Sequence, residues 1–159
     1  MTKIAIEPLT SKAFAPFGDI LQATGEPTKI INQGKCGRWH DLATLDFAEG
    51  RAGISLFRAV ARAVPFAQDL VERHPEGSQA FVPMSEHPWL VIVAEDIGGQ
   101  PGRPSAFEVP PHTGINFHRG TWHGVLTPLH APGLFAVIDR IGTGDNLEEF
   151  YFPKPYIVG

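Results

Sequence analysis

The chain has 159 residues, of which 43% are hydrophobic and 19% are charged, and its formal net charge is −4 with histidine neutral. This length and composition predict a single globular domain over residues 1–159 that buries its core without needing a disulfide or a metal. The acidic balance and the lack of a basic patch exclude a nucleic-acid partner, and the longest apolar run, WLVIVA, is too short to span a bilayer.

Short strands make up most of the predicted elements. KIAIEPL alternates apolar and polar residues, and TSKAFAPFG then offers a short helix with Thr10 or Ser11 as its cap and Gly18 as its stop. The strand candidates that follow are DILQA, TKIIN, AGISLFRAV, QAFVPM, WLVIVAE, SAFEVP, GVLTPL, LFAVIDR and EEFYF. VPFAQDLVERH fits a helical turn or a strand, GTGDN is predicted to be a turn, and the tail FPKPYIVG is expected to wrap the surface in extended form. Closely spaced strands without a strong helical stripe favour a barrel or a sandwich.

The expected compartment is the cytoplasm. Cys36 is the single cysteine, so no intrachain disulfide can form. The opening MTKIAIEPLT lacks the long apolar core of a signal peptide. We therefore expect neither secretion nor a membrane partner.

Chemically versatile side chains fall in four segments. These are GRWHD (37–41), ERHPEGSQAF (72–81), NFHRGTWH (116–123) and IDR (138–140). In the last of them, Asp139 and Arg140 end an apolar strand and point to opposite faces of it. One of the two charges would then face inward, where it needs a partner or a ligand unless the strand end lies in solvent.

All four of these segments resemble a known family. ERHPEGSQAFVPM, GINFHRGTWHGVL and VIDRIGTGDN are similar, in order and spacing, to the ureidoglycolate lyase family, as are PLTSKAFAPFGDI and RWHDL. The resemblance runs from about residue 7 to residue 146. It implies an all-β, cupin-like β-barrel or jelly roll with few short helices, a homodimer, and the cleavage of (S)-ureidoglycolate into glyoxylate and urea in allantoin and purine breakdown.

The resemblance also implies a set of metal-ligand positions. Compared with the two cupin blocks, Glu72 stands at the first His position, His74 at the second and Gln79 at the Glu position, while His123 is retained and His118 replaces a Pro. Gln79 is a poor ligand, which argues against a tightly held metal. The expectation is either no cofactor or a divalent ion such as nickel, held by His74, Gln79, His123 and Glu72.

The implied reaction needs several kinds of side chain. A cation must hold the substrate carboxylate, a base must remove the hydroxyl proton near neutral pH, a donor must protonate the departing nitrogen, and amide groups must bind the urea end. His118 or His123 is the predicted base, His74 a ligand or acid, Arg140 the carboxylate-binding residue, and Asp139 the group that orients a neighbour. The predicted catalytic residues are His118, His123, His74 and Asp139, and the predicted substrate-binding residues are Arg140, Gln79, Arg38, Arg58, Asn116, His40 and Asp41.

The two histidines of NFHRGTWH can share a pocket only if the chain bends between them. In an extended segment, His118 faces one side, while His123 shares the side of Phe117. We therefore predict an irregularity near Gly120, a residue suited to a bulge.

Other interpretations stay open at this point. Either histidine could instead be packed in the core. The alternative functions are a metal-dependent cupin oxygenase or isomerase, a non-catalytic module that binds a small acid, and an enzyme that releases ammonia in place of urea.

Overall fold

The computed structural model describes residues 1–159, with 52% of the chain in strands and 3% in helix. The first half contains β1 (Lys3–Ile4), β2 (Ile6–Pro8), α1 (Ser11–Phe14), β3 (Gly18–Leu21), β4 (Lys29–Ile31), β5 (Cys36–Arg38), β6 (Arg51–Ala59), β7 (Phe66–Arg73) and β8 (Gln79–Pro83). The second half contains β9 (Trp89–Ala94), β10 (Asp96–Ile97), β11 (Gln100–Pro101), β12 (Ser105–Val109), β13 (Gly114–Phe117), β14 (Trp122–His123), β15 (Thr127–Pro128), β16 (Gly133–Ile141) and β17 (Glu148–Val158).

The strands form two main sheets that together make a nearly closed, barrel-shaped structure. The larger sheet has the order β1-β17-β7-β14-β9-β12-β2, and β15 also pairs with β9. The smaller sheet has the order β3-β13-β8-β16-β6, and the pairs β4-β5 and β10-β11 stand apart as two-stranded sheets. The fold is all-β and cupin-like, which confirms the predicted fold class.

The barrel interior is filled by alternate residues of both sheets. In β16, for example, Phe135 and Val137 are buried while Leu134 and Ala136 on the other face are half-buried. The main core cluster consists of Phe14, Phe17, Phe81, Trp89, Val91, Val93, Phe107, Val109, Ile115, Phe117, Phe135 and Val137. Burial of such side chains contributes about 1.5–3 kcal/mol each, which makes this cluster the main stabilising element of the barrel.

The one helix forms where the sequence predicts it. The Thr10 hydroxyl accepts a hydrogen bond from the Ala13 amide, which satisfies a donor that the first helical turn leaves free. The helix delivers Phe14 into the core but ends there, ahead of the predicted stop at Gly18. Gly18 has a different role, because a Cβ at that position would collide with the backbone oxygen of Asn116 on the paired strand β13.

The structure decides one segment that the sequence left open and changes the expectation for another. VPFAQDLVERH is the strand β7 over most of its length, held between β17 and β14. The tail is also a strand and not a surface wrap: β17 runs through both prolines by means of a register shift between Tyr151 and Tyr156, and its end pairs with β1. A shift of this kind lets a strand pass residues that cannot donate to the ladder.

The only helix has four residues, far fewer and less apolar than a helix that crosses a membrane needs.

Candidate active site

Two strands of the larger sheet bring together three side chains of types that can bind a metal ion. Glu72 on β7 is paired directly with His123 on β14, and His74 follows Glu72 by two residues at the end of the same strand. One ligand atom from each of the three lies within 4.8 Å of the others, and the two imidazole centroids are 5.2 Å apart. We call Glu72, His74 and His123 the inner cluster.

Backbone carbonyls fix the tautomers of both histidines. The Nδ1 atom of His74 lies 2.8 Å from the carbonyl oxygen of Asn146, and the Nδ1 atom of His123 lies 2.9 Å from that of Gly124. A carbonyl can only accept, so each Nδ1 carries a proton, and the lone pair of the neutral ring is on Nε2. Both Nε2 atoms are buried and have no hydrogen-bond partner in the protein. The inner cluster therefore presents two unused imidazole lone pairs next to a carboxylate.

The inner cluster has unusual electrostatics. Burial and, to a smaller extent, the neighbouring His74 lower the pKa of His123 to about 3, against the opposing effect of the Gly124 carbonyl. Burial raises the pKa of Glu72; His74 opposes that rise and Glu149 adds to it. At neutral pH, His123 is thus a neutral lone-pair donor and a weak base, whereas the affinity of Glu72 for a proton is increased.

A second row of inward residues lies beside the inner cluster. Phe117 stacks on the His123 ring with centroids 4.3 Å apart and an interplanar angle of 7°. On the neighbouring strands, Gln79 is paired with Phe117 on one side and with Asp139 on the other. Paired residues of antiparallel strands share a face, so the amide and the carboxylate lie in the same row as the stacked ring.

The Asp139 carboxylate fixes the orientation of the Gln79 amide. Gln79 Nε2 donates to Asp139 Oδ2 over 3.1 Å, and a carboxylate accepts only from the NH₂ end of an amide. The Gln79 Oε1 atom is consequently left over, buried and without a partner. The sequence predicted that a charge at this strand end would face inward and need a partner, and the structure gives Asp139 an amide.

The inner cluster fits a divalent cation by its donor chemistry. Imidazole nitrogens suit nickel and other borderline transition metals, and a carboxylate oxygen completes a common three-residue set. Hydrogen bonding of the other imidazole nitrogen to a carbonyl is the usual outer arrangement of ligating histidines. The orphaned Nε2 atoms of His74 and His123 are the observation that supports this fit.

The back of β7 is held rigidly where the inner cluster begins. Arg73, between the two cluster residues of β7, donates to Asp96 over 2.9 Å and to Glu148 over 2.7 Å. Its guanidinium also lies 4.4 Å from the ring of Trp122, whose indole N–H donates to Asp96. The Trp122 hydrogen bond is the largest of the contacts that lower the pKa of Asp96. This network restrains the strand from the face opposite the inner cluster.

His118 and Asn116 lie on the other side of β13 from the inner cluster. His118 Nε2 is 3.4 Å from Asp19 Oδ1, and the imidazole is 46% exposed. The buried Asn116 amide donates to the other Asp19 oxygen over 3.1 Å and to the Thr44 carbonyl over 3.4 Å. We call Asp19, Asn116 and His118 the outer cluster.

The bend predicted at Gly120 is present but does not unite the two histidines. Gly120 has φ +79°, and the Thr121 amide closes a turn onto the His118 carbonyl over 3.1 Å. The turn carries the chain from the outer cluster to the buried His123. The structure therefore does not bring the two imidazoles into the shared pocket that the sequence predicted.

The remaining predicted substrate-binding residues lie apart from the inner cluster. Arg140, on the face of β16 opposite Asp139, donates to the carbonyls of Glu49 over 2.7 Å and Thr143 over 2.8 Å. Arg38, His40, Asp41 and Arg58 are all exposed, the first three on β5 and the residues after it, and the last on β6. Asp19 and Asn146 are site neighbours that the sequence did not single out.

An all-β, cupin-like barrel with two imidazoles and a carboxylate gathered on neighbouring strands is an arrangement found in small-molecule enzymes and in metal-binding proteins. A family model described as ureidoglycolate lyase matches residues 1–159 of this chain. The chain belongs to the ureidoglycolate lyase family, as its sequence motifs indicated.

Three curated ureidoglycolate lyases are similar to this chain over nearly its whole length. The ureidoglycolate lyase of Rhodobacter capsulatus is 58% identical over 159 residues, which cover 99% of each chain. Ureidoglycolate lyase 2 of Rhizobium meliloti is 48% identical over 99% of this chain and 98% of its own. The ureidoglycolate lyase of a Chelativorans species is 49% identical over 98% of this chain and 96% of its own.

Proposed function

We propose that this protein is a ureidoglycolate lyase that cleaves (S)-ureidoglycolate into glyoxylate and urea. Family membership supports the lyase activity. The observation that carries the chemical part of the proposal is the inner cluster, with two oriented lone pairs beside a carboxylate of raised pKa.

The reaction is an elimination that consumes no water. The α-carbon of ureidoglycolate carries a carboxylate, a hydroxyl and a ureido nitrogen. Removal of the hydroxyl proton lets the oxygen form a carbonyl as the carbon–nitrogen bond breaks, and the departing nitrogen takes up one proton to become urea. One proton leaves oxygen and one arrives at nitrogen, so a single group that carries a proton between them closes the cycle.

Glu72 is the best placed proton carrier. Its raised pKa brings it nearer to neutrality, where a general acid or base works most efficiently. His123 suits this role less, because a group with a pKa of about 3 holds a proton poorly at neutral pH. We assign the proton transfer to Glu72 and lone-pair donation to His74 and His123.

With Glu72 left to carry the proton, the Nε2 atoms of His74 and His123 would hold a divalent ion such as nickel. When bound, such an ion supplies a Lewis acid that polarises substrate oxygens and offsets the carboxylate charge. Gln79 is then left for the substrate. Its buried Oε1, held in place by Asp139, can accept a hydrogen bond from the ureido N–H groups.

The further roles stay predictions. A part in substrate binding stays a prediction, without a contact to the inner cluster in its support, for Asn116, Arg38, Arg58, His40 and Asp41. We give His118, which is half exposed, no part in the proton transfer. We also propose a cytoplasmic location and a place in allantoin and purine breakdown, with no nucleic-acid or membrane partner.

We propose a homodimer that forms through the outer face of the smaller sheet. Ile54 and Leu56 of the edge strand β6 are 77% and 63% exposed. Leu56 and Val82 flank Ala136 on this face, so the apolar side chains form a continuous row across three strands. A second copy with the same row would cover both surfaces at once and protect the β6 edge.

The dimer is tested by light scattering after size-exclusion chromatography. Leu56→Asp is expected to convert a dimer into a monomer, whereas Ile97→Asp, which changes an equally exposed residue on β10, is expected to leave the dimer intact. A monomeric unsubstituted protein would refute the assembly but not the activity.

Activity is tested with racemic ureidoglycolate and purified protein. The proposal expects glyoxylate and urea in equal amounts, consumption of half the racemate, and loss of activity on chelation that nickel restores. Ammonia in place of urea would indicate the hydrolytic alternative. Binding without turnover would indicate a small-acid-binding module.

A further inference from the structure

The loop after β16 holds the carbonyl that fixes His74. This loop, Gly142–Asn146, reads in the sequence as a simple turn, and no role in the site follows from its composition. In the structure its last residue makes two contacts with the turn after β7. The Asn146 carbonyl accepts from His74 Nδ1 over 2.8 Å, and the Asn146 side-chain Oδ1 accepts from the Glu76 amide over 2.7 Å.

The two hydrogen bonds of Asn146 hold the turn that follows β7. His74 begins the turn and Glu76 lies within it, so Asn146 grips the turn at two points with two different oxygens. The backbone carbonyl cannot move away from the imidazole while the side chain is anchored to Glu76. The side chain of Asn146 therefore controls the direction of its own carbonyl, and with it the tautomer of His74.

Arg140 supports the loop that carries Asn146. Its Nη2 atom donates to the Thr143 carbonyl over 2.8 Å, and its Nε atom donates to the Glu49 carbonyl over 2.7 Å. A Cβ at Gly142 would lie 2.7 Å from the guanidinium, and one at Gly77 would lie 2.9 Å from Arg140 Cβ. The Arg140 side chain thus packs against both the loop and the turn that Asn146 joins.

We propose that Asn146 is a positioning residue that, braced by Arg140, holds His74 as its Nδ1–H tautomer with the Nε2 lone pair directed into the inner cluster. The inference rests on the proposed function only where it concerns a metal ion, because the tautomer itself is a property of the protein alone. Arg140 is on this account a brace for the loop, which differs from the carboxylate-binding role that the sequence predicted.

The first test measures the His74 tautomer by ¹⁵N-resolved NMR of the imidazole in metal-free protein. The unsubstituted protein is expected to show a protonated Nδ1 and an unprotonated Nε2. Asn146→Ala is expected to mix the two tautomers, and Asn146→Asp, which keeps an acceptor oxygen at the same place, is expected to restore the single form. Asp145→Ala serves as the matched control, since Asp145 is exposed in the same loop.

The second test measures nickel binding by titration calorimetry. Loss of an outer partner of a ligating histidine commonly weakens metal binding by about 10- to 100-fold, and we expect this loss for Asn146→Ala and not for Asn146→Asp. Arg140→Gln is expected to mix the tautomers as well. If Arg140 instead binds the substrate carboxylate, Arg140→Gln would raise KM and leave the tautomer unchanged.

The results separate the two proposals. An unsubstituted protein with Nε2 protonated, or an Asn146→Ala variant with the original tautomer, would overturn the inference even if Asn146→Ala were inactive. Should Asn146→Ala fail to fold, the unsubstituted protein and Arg140→Gln still decide it. A protein with the expected tautomer but no nickel binding would count against the metal part of the proposed function and leave the positioning role in place.

Discussion

The inner and outer clusters contain histidines from one short motif in very different surroundings. His123 is buried, its Nδ1–H is given to a carbonyl, and its ring is stacked on Phe117. His118, five residues earlier, is half exposed and faces the Asp19 carboxylate. The turn at Gly120 separates them, so spacing in the chain says little about which histidine does chemistry. What distinguishes the two histidines is the burial of each ring and the hydrogen-bond partner that orients it.

The largest expected effect is the loss of activity when residues of the inner cluster, and not those of the outer cluster, are replaced. Glu72→Gln removes the proposed proton carrier, and His74→Asn removes a lone pair from the inner cluster. Loss of a general acid or base costs about 10²- to 10⁴-fold in rate, so we expect kcat to fall by that order in Glu72→Gln. In His74→Asn, kcat should also fall, because one of the two lone pairs is lost. Steady-state assays of glyoxylate release measure it. His118→Asn is the control from the outer cluster and should keep most of its turnover; an equal loss there would reverse our assignment.

The next effect is the pH dependence of stability in metal-free protein. The pKa of His123 is about 3 in the folded state, against about 6.5 when unfolded, so the unfolded chain binds the extra proton between these values. Stability is therefore complete above about pH 6.5 and falls as the pH drops towards 3, by about 3 kcal/mol at pH 4. Urea unfolding at pH 4–7 with a chelator present measures this loss. His123→Phe should flatten the curve, and an unchanged slope would contradict the assignment.

A smaller effect is expected from the partner of Gln79. In Asp139→Asn the Gln79 amide is free to flip, because an asparagine can accept or donate a hydrogen bond where the carboxylate only accepts. A hydrogen bond to a charged group contributes about 1.5–3 kcal/mol, so kcat/KM should fall by about 10- to 100-fold. Gln79→Ala should cost a similar amount, and the double variant should cost little more than either single one. Additive losses would show that the two residues act separately.

The sequence predicts the barrel better than it predicts the site. Strand positions follow from alternation and from Gly and Pro boundaries, and the cap at Thr10 follows from local chemistry. VPFAQDLVERH could not be decided locally, because β7 is made a strand by its neighbours β14 and β17. The role of Asn146 was not visible either, since one of its contacts is a backbone carbonyl, which any residue possesses. The bend at Gly120 was predictable from the sequence. That His118, just before the bend, faces Asp19 was not, because Asp19 lies far away in the chain.

The smallest expected effect is a change in the free energy of unfolding when His118 of the outer cluster is replaced. An exposed contact between two polar side chains contributes about 0–1 kcal/mol, so His118→Ala should change the free energy of unfolding by no more than that. Asn116→Ala should cost more, about 1–3 kcal/mol, because Asn116 is fully buried and its amide donates to the half-buried Asp19 carboxylate over 3.1 Å. Urea unfolding at pH 7 measures both. If His118→Ala were the more costly of the two, the outer cluster would be built around its imidazole, and His118 would need a role in the protein that exposure to solvent does not suggest.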